Sequence, residues 1–345
     1  MTKRVAAIDC GTNSIRLLIA DLRPHSDDLE RSRGSSDSAR SPGPSLTDVS
    51  REMRIARLGE GVDRTGRLSE AALDRTMTAL REYAGLIAEA KPEAIRMVAT
   101  SATRDAENSQ EFTDRVVDVL GVAPEVISGD EEARLSFTGA TRELAAALAV
   151  EGTAPEGAGS ALAADSAAPP YLVTDIGGGS TEFILGGPAG VDSERSVNIG
   201  CVRMTERHLH ADPPLKQEIA DTIADVDGAL ALVAAAVPVK KARTLVGLAG
   251  SVTTVAAIAL GLDRYDPARI HHSRVSAARV REIAVELLAM TRAERAAIPV
   301  MHPGRVDVIG AGALVLDRIM TGFRFAEVLV SEHDILDGIA WSLVP

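Results

Sequence analysis

The chain has 345 residues, more than one ordinary hydrophobic core holds, so two domains are expected. Its formal net charge of −12 and its aromatic content of 3% argue against a non-specific surface for nucleic acid or anionic membranes and against a base-stacking platform. An anionic substrate is still compatible with this charge if specific residues meet it. The two cysteines form no CxxC motif, and no apolar run approaches the roughly 20 residues of a transmembrane helix. We therefore predict a cytoplasmic protein without a disulfide.

The first part of the chain alternates short apolar runs with longer amphipathic ones. Strands are predicted over residues 4–10, 14–21, 51–59, 94–100 and 125–128. Helices are predicted over residues 69–90, near 109–121 and from 130 onward. Ser69 is the expected N-cap of the first of these helices, and residues 101–108 are expected to form a polar loop. This alternation is typical of an α/β fold.

The second part repeats the cycle. Strands are predicted over residues 171–175, 181–186, 195–200 and 326–332, and residues 243–262 read as a strand, a glycine-rich turn and a helix. Most of the remaining C-terminal part is expected to be helical. Two stretches, 23–48 and 151–170, are rich in Ser, Pro, Ala, Gly or charged residues and are predicted to be disordered, exposed insertions.

An internal repeat links the two parts. When residues 5–19 are laid over 171–185, Asp9 falls on Asp175, Gly11 on Gly177 and Ser14 on Ser180. Both copies read as a strand, an Asp-x-Gly-x-x-Ser turn and a second strand. The repeat predicts a duplicated domain.

The two turns have the chemistry of a phosphate site. Glycine tolerates positive φ and has no Cβ, so backbone N–H groups of such a turn can point into one concavity and bind phosphate oxygens. The carboxylates of Asp9, Asp175 and Glu182 would repel a phosphate unless a hard cation such as Mg²⁺ lay between them. The alternative for "DIGGGSTE" (175–182) is a tight hairpin with a solvated Glu.

A third glycine-rich element, "GLAGSVTT" (247–254), follows an apolar strand and precedes a helix. It is similar to a phosphate loop, although close strand–helix packing explains the same pattern. Leu248 and Ala249 are bulkier than glycine, which makes nucleotide binding at this loop doubtful.

These motifs together resemble one family. The "DCGTNS" start, "ISGDEEARLSF", "DIGGGSTE", "NIGCVRMTERHL" and "GLAGSVTT" occur in the order of the exopolyphosphatase/guanosine-pentaphosphate phosphohydrolase (Ppx/GppA) family. The resemblance spans nearly the whole chain outside the two insertions and implies the short, two-domain form of the family. It implies duplicated actin/Hsp70/sugar-kinase-like (ribonuclease H-like) domains with a cleft between them. We place domain I at residues 1–131 and domain II at 132–345, with the last helix packing back on domain I. A homodimer is also implied.

The resemblance implies roles for individual residues. Glu132 corresponds to the catalytic base and Arg104 to an arginine that reaches the substrate phosphates, a task that suits a planar guanidinium. Asp175 and Glu182, with Asp9 nearby, correspond to the positions that bind Mg²⁺, or alternatively Mn²⁺. The positions expected to bind substrate phosphate are Gly11, Thr12, Asn13, Ser14, Gly177, Gly178, Gly179, Ser180 and, less directly, Arg203.

Plainer interpretations stand beside these roles. Glu131, and with less weight Glu132, read as acids favoured at a helix N-terminus by the helix dipole. The remaining polar candidates of the second half read as surface or cleft-edge groups: His271, His272, His302 and Arg305. Cys10 and Cys201 read as small buried residues.

The predicted function is an exopolyphosphatase that uses Mg²⁺ to direct water at the end of linear polyphosphate. The family's other activity, removal of the 5′ terminal phosphate from guanosine pentaphosphate, is the closest alternative. A sugar-type kinase and a non-catalytic, actin-like scaffold are more distant ones. The "EEARL" context of Glu132 argues against the kinase, and the full set of acids argues against the scaffold.

Overall fold

A computed structural model describes residues 2–23, 45–151 and 168–344. The first of its two mixed sheets has the strand order β3-β2-β1-β4-β5. Its strands are β1 (Lys3–Cys10), β2 (Ser14–Arg23), β3 (Ser45–Ile55), β4 (Ala94–Ala99) and β5 (Glu125–Val126). The β1, β2 and β3 strands form an antiparallel meander, and β4 continues the sheet parallel to β1.

The second sheet repeats this plan with the order β10-β11-β9-β6-β7-β8. Its strands are β6 (Tyr171–Ile176), β7 (Thr181–Gly187), β8 (Gly190–Val197), β9 (Thr244–Leu248), β10 (Arg274–Ser276) and β11 (Glu327–Val330). The meander β6-β7-β8 and the parallel neighbour β9 match β1-β2-β3 and β4. The repeat seen in the sequence is therefore a repeat of structure.

Helices cover both sheets. They are α1 (Val62–Thr65), α2 (Glu70–Ala90), α3 (Ser101–Asp105), α4 (Ser109–Leu120), α5 (Gly129–Glu151), α6 (Cys201–His208), α7 (Lys216–Ala236), α8 (Ala249–Ala259), α9 (Pro267–Ile270), α10 (Ala277–Ala289), α11 (Arg292–Ala296), α12 (Ile309–Phe323) and α13 (Ile335–Trp341). Within the described ranges, no helix is both long enough and apolar enough to cross a membrane.

Strand alternation gives the first sheet two buried faces. Along β1, Ala6 and Ile8 face a core shared with α2 and α4, whereas Val5 and Ala7 face α13. Successive side chains of a strand point to opposite sides, so a strand buried on both sides reads as a continuous apolar run. The larger core lies between the second sheet and α7, α8, α10 and α12.

Two helices occupy the space between the sheets. Helix α5 packs on the second sheet, α13 packs on the first, and the two pack on each other. Their backbones approach closely at two glycines, because a Cβ on Gly139 would collide with the carbonyl oxygen of Asp334 and one on Gly338 with that of Leu135. This contact fixes how the two sheets face each other.

Most predicted elements are confirmed, with differences at polar segments. Residues 45–48, predicted as part of a disordered insertion, belong to β3, because their backbone pairs with β2 at the sheet edge. The polar loop predicted at 101–108 contains α3, whose residues 101–103 are buried. No turn separates β9 from α8, which begins directly at Ala249. Residues 24–44 and 152–167, the rest of the two predicted insertions, lie outside the described residues.

The helix pair gives a stability prediction. Replacing Gly338 by Ala should lower the free energy of unfolding by about 1–3 kcal/mol or more, because the new methyl group has no room against Leu135. Urea denaturation followed by circular dichroism measures the change. Gly85, on the exposed side of α2, is the matched control, since nothing described lies within 4 Å of an added Cβ. Gly85→Ala should stabilise by about 0.5–1 kcal/mol. Equal effects of the two changes would contradict this account of the helix contact.

Candidate active site

A cleft of about 770 Å³ lies between the two sheets. The first turn (residues 11–14) joins β1 to β2, and the second turn (residues 177–180) joins β6 to β7. Both turns line the cleft except at Gly179, together with Glu132 at the start of α5 and the first residues of α8. The duplicated fold thus brings the two predicted phosphate turns to one place.

The two turns are closed in the same way. The N–H of Gly11 donates to the carbonyl oxygen of Ser14 at 3.0 Å, and that of Gly177 donates to the carbonyl oxygen of Ser180 at 3.1 Å. The intervening carbonyl groups are held by the segment after the third strand of each meander. In the first turn, Thr12 accepts from Gly59 and Asn13 accepts from Arg57, both at 2.9 Å.

In the second turn the partner is the first turn of α6. The carbonyl oxygen of Gly177 accepts from Cys201 at 2.9 Å, and that of Gly178 accepts from Val202 at 2.9 Å and from Arg203 at 3.1 Å. In a trans peptide the following N–H points opposite to the carbonyl. The N–H groups of residues 178 and 179 are therefore turned away from α6, as an anion-binding concavity requires.

The two turns also contact each other. A Cβ on Gly178 would lie 2.9 Å from Cβ of Thr12, and one on Gly179 would lie 2.6 Å from Oγ of Ser101. Thr12 and Ser101 share a hydrogen bond of 2.9 Å between their hydroxyl groups. Only glycine permits this approach, so the two turns form one continuous surface.

Glu132 reaches the cleft from the first turn of α5. Its side chain is only 11% exposed, and its carboxylate accepts from Nη1 of Arg104 at 3.2 Å. The same Nη1 donates to the carbonyl oxygen of Ile127 at 2.9 Å, which fixes the guanidinium. Burial and then the charge of Glu182 raise the pKa of Glu132 well above its usual value, and Arg104 opposes this shift. The two predicted catalytic residues are thus in direct contact.

Asp175 and Glu182 face each other in the register of β6 and β7. The hydroxyl of Ser136 donates to Asp175 and that of Ser196 donates to Glu182, each at 2.7 Å. Burial, followed by the charge of Glu182, raises the pKa of Asp175 to about 8, and burial also raises the pKa of Glu182. These carboxylates resist ionising together, which a nearby cation would relieve.

Asp9 is different, because it already has a cation. Arg16, opposite Asp9 in the register of β1 and β2, lies 2.7 Å from its carboxylate and also forms an ion pair with Asp334. Burial raises the pKa of Asp9, whereas the charge of Arg16 lowers it. Arg16 and Asp334 were not predicted as site residues. Asp334 is 318 residues away in sequence, so no local pattern could reveal the pair.

The three predicted metal ligands are not gathered into one cluster. Over residues 2–23, 45–151 and 168–344, no three Asp, Glu, His or Cys side chains lie close enough together to hold a metal ion. The buried oxygen donors of Asp175 and Glu182 nevertheless suit Mg²⁺, which is usually held by one or two carboxylates, several waters and the substrate's own phosphates. The residues therefore fit an ion that enters with the substrate, rather than a closed protein cage.

The remaining candidates lie at different distances from the cleft. Arg305, interpreted as a surface or cleft-edge group, lies in the cleft wall, where it donates to Oγ1 of Thr254 at 2.9 Å and covers Gly250. His271 and His272 stack with ring centroids 3.7 Å apart, away from the two turns. The guanidinium of Arg203 is not brought into the cleft. Cys10 and Cys201 are buried and free, as predicted, although Cys201 lines the cleft.

A second pocket of about 1210 Å³ adjoins the cleft and shares Arg16, Gly250 and Arg305 with it. Much of its wall is apolar, and charged side chains also line it. The apolar contributors are Met53, Pro267, Pro299, Val300, Met301 and Pro303, and the charged ones include Arg51, Glu52 and Asp334. A polar corner is formed where the hydroxyl of Tyr265 donates to Glu332 at 2.7 Å. No sequence pattern predicts this pocket, because its residues come from both domains.

Comparison with known proteins assigns this cleft to a family. The model of the Ppx/GppA phosphatase family matches residues 37–150 and 156–345. The chain is 48% identical to Exopolyphosphatase 2 of Mycobacterium tuberculosis strain H37Rv, over 99% of this chain and 98% of that protein. It matches the crystal structure of an exopolyphosphatase-like protein with a TM-score of 0.83 and 41% identity, over 99% of this chain and 98% of the other.

A more distant relative is the guanosine-5′-triphosphate,3′-diphosphate pyrophosphatase of Aeromonas salmonicida, which is 26% identical over 98% of this chain and 59% of that protein. The predicted family resemblance and the predicted α/β fold with a duplicated domain are both confirmed. The chain belongs to the Ppx/GppA phosphatase family.

Proposed function

We propose that this protein is an exopolyphosphatase, which hydrolyses the terminal phosphoric anhydride of linear inorganic polyphosphate and releases orthophosphate processively. The observation that carries the proposal is the pair of Arg104 with the buried Glu132, beside two contacting phosphate turns. The likeness to an exopolyphosphatase over nearly the whole chain supports the same substrate.

The cleft would act mainly by positioning and by electrostatics. The terminal phosphate would bind to the N–H groups and hydroxyls of the two turns, where preorganised donors stabilise charge on the phosphoryl oxygens. Arg104 would reach the same phosphate while it orients Glu132. The carboxylate of Glu132 would accept a proton from water, whose oxygen bonds to the terminal phosphorus as the bond to the bridging oxygen breaks. Burial makes Glu132 a stronger base than an exposed glutamate, which suits this role.

The metal would be held mainly by Asp175 and Glu182, with Asp9 nearby. When bound, Mg²⁺ supplies positive charge that neutralises the phosphoryl oxygens. Ser136 and Ser196 would keep the two carboxylates oriented through their hydrogen bonds. The pairing of Asp9 with Arg16 gives it a smaller share in this role.

Glu132 gives the first test. Glu132→Gln should lower kcat by about 10²–10⁴-fold, because the amide cannot accept the proton, while polyphosphate still binds. Orthophosphate release measures turnover, and isothermal titration with polyphosphate measures binding. Glu131→Gln is the matched control, since Glu131 pairs with Arg96 at 2.7 Å outside the cleft and should leave kcat nearly unchanged. Turnover that survives in Glu132→Gln would remove this residue from the mechanism.

Metal dependence gives the second test. Chelation with EDTA should abolish orthophosphate release, and added Mg²⁺ or Mn²⁺ should restore it. Asp175→Asn should raise the Mg²⁺ concentration for half-maximal activity by about tenfold or more, because the amide is a weaker ligand. Asp192, an exposed acid of β8, is the control, and Asp192→Asn should not shift the Mg²⁺ titration. Identical Mg²⁺ curves for all three proteins would exclude Asp175 as a ligand.

A second candidate substrate is guanosine pentaphosphate, favoured by the apolar pocket that adjoins the cleft. A nucleoside has flat base faces and several polar edges, and this pocket offers apolar side chains beside arginines and carboxylates. The name of the Aeromonas relative refers to guanosine 5′-triphosphate 3′-diphosphate, which is guanosine pentaphosphate. The chemistry at Glu132 would be the same for both substrates.

Filling the pocket separates the two substrates. Met53→Trp should lower kcat/KM for guanosine pentaphosphate and leave polyphosphate hydrolysis nearly unchanged, because Met53 lines the second pocket and not the two turns. Orthophosphate release on both substrates, measured with wild type and variant, gives the comparison. Equal losses on both substrates, or no wild-type release from the nucleotide, would contradict a nucleoside site there.

The homodimer and the cytoplasmic location stay predictions, and light scattering measures the oligomeric state.

A further inference from the structure

Arg203 makes three contacts across the domain boundary. Its side chain is 11% exposed. Its Nε donates to the carbonyl oxygen of Gly179 at 2.7 Å, its Nη2 lies 2.6 Å from the carboxylate of Asp105, and its Nη1 forms an ion pair with Asp63. Gly179 belongs to the second turn, whereas Asp63 and Asp105 belong to α1 and α3 of the first domain. One guanidinium thus joins the second turn to two helices of the other domain.

Through its contact with Gly179, Arg203 holds the third of three successive carbonyl groups of the second turn. The carbonyl groups of Gly177 and Gly178 are held by backbone N–H groups of α6, and that of Gly179 is held by the side chain of the same helix. Three successive peptide groups of the turn are therefore oriented from behind. Because each carbonyl fixes the direction of the next N–H, Arg203 orients the N–H of Ser180. It does so without touching the cleft side of the turn.

The contact with Asp105 links Arg203 to the helix that carries Arg104, the partner of Glu132. Asp105 follows Arg104 on α3, and Arg104 holds the carboxylate of Glu132 at 3.2 Å. A shift of α3 would move the Arg104 guanidinium relative to the second turn. The Arg203–Asp105 ion pair opposes that shift; its guanidinium is 11% exposed and its carboxylate side chain 33%.

The charge of Arg203 is also already compensated. Two carboxylates and one carbonyl oxygen contact the guanidinium, so the group and its partners carry no net positive charge. A phosphate would have to displace at least one carboxylate to gain a contact. Arg305, by contrast, lies in the cleft wall against a threonine hydroxyl.

We propose that Arg203 is a positioning residue, which ties the second phosphate turn to the Arg104–Glu132 pair across the domain boundary, rather than a phosphate ligand. The inference rests on the proposed hydrolysis in the cleft. It changes the role that the family resemblance implied for this residue.

A set of four variants tests the inference: Arg203→Met, Asp105→Ala, the double variant and, as control, Arg207→Met. Arg203→Met should lower kcat for polyphosphate by roughly 10- to 100-fold, the scale of a small misplacement of reacting groups. Asp105→Ala should lower kcat in the same direction, and the double variant should be no worse than Arg203→Met, because both changes break one link. Arg207 pairs with Asp63 from the same helix but does not contact the turn, so Arg207→Met should stay near wild type.

The change in kcat and KM caused by Asp105→Ala distinguishes a positioning role of Arg203 from a role as phosphate ligand. If Arg203 were a phosphate ligand, removing Asp105 would free its charge, and KM for polyphosphate would fall with kcat maintained. That result, or unchanged kcat in a folded Arg203→Met protein, would overturn the positioning role. Circular dichroism verifies folding, and if Arg203→Met does not fold, Asp105→Ala alone still decides.

Failure of the proposed function is separable from failure of this inference. If wild type releases no orthophosphate, the hydrolytic proposal is wrong, and the Kd for polyphosphate replaces kcat as the readout. Weaker binding by Asp105→Ala then supports positioning, whereas tighter or unchanged binding overturns it.

Discussion

The close approach of two glycine turns is the constraint on which the site depends. Gly178 and Gly179 lie against Thr12 and Ser101, so the turns of two separately built sheets share one surface. That approach is possible only if the sheets face each other at a fixed distance. The packing of α5 on α13, with Gly139 and Gly338 at the contact, sets this distance. Small residues are thus required both at the site and at the helices that align it.

Electrostatics divides the buried acids of the cleft into two groups. Asp9 and Glu132 each have an arginine, Arg16 and Arg104 respectively. Asp175 and Glu182 receive hydrogen bonds from serine hydroxyls, and in the described part of the chain neither forms an ion pair with Lys or Arg. The charges of Arg16 and Arg104 act on Asp175 and Glu182 without an ion pair, and buried carboxylates that lack a directly paired cation are costly to ionise. The cleft is therefore short of positive charge at one place, next to the second turn, which is where a cation with a phosphate would be most stabilised.

The sequence was sufficient for the local parts of this site and insufficient for the contacts between them. The Asp-x-Gly-x-x-Ser repeat predicts both turns because turn chemistry is local. Glu132 and Arg104 follow from motifs, but their contact at 3.2 Å depends on how α3 meets α5. The α3 helix itself was missed, since its polar residues look like a loop until the buried hydroxyl of Ser101 finds its partner in Thr12. Arg203 was predicted to bind the substrate because its motif contains an arginine but gives no sign of its carboxylate partners on α1 and α3.

The position of Glu132 in the cleft favours water as the acceptor of the phosphoryl group. A kinase needs an acceptor hydroxyl beside the terminal phosphate, whereas here a carboxylate, Glu132, projects from the first turn of α5 into the cleft that the two turns line. A buried carboxylate at that point leaves space for a small nucleophile and provides a base for it. Beyond the turns, Arg305 covers Gly250 at the start of α8, and the space continues into the apolar pocket. The reacting end of a substrate is thus confined by the turns and Glu132, while the rest of the substrate extends past Arg305 toward the second pocket. Substrate preference would then be decided in that outer region, and the hydrolytic step would be common to every substrate that fits it.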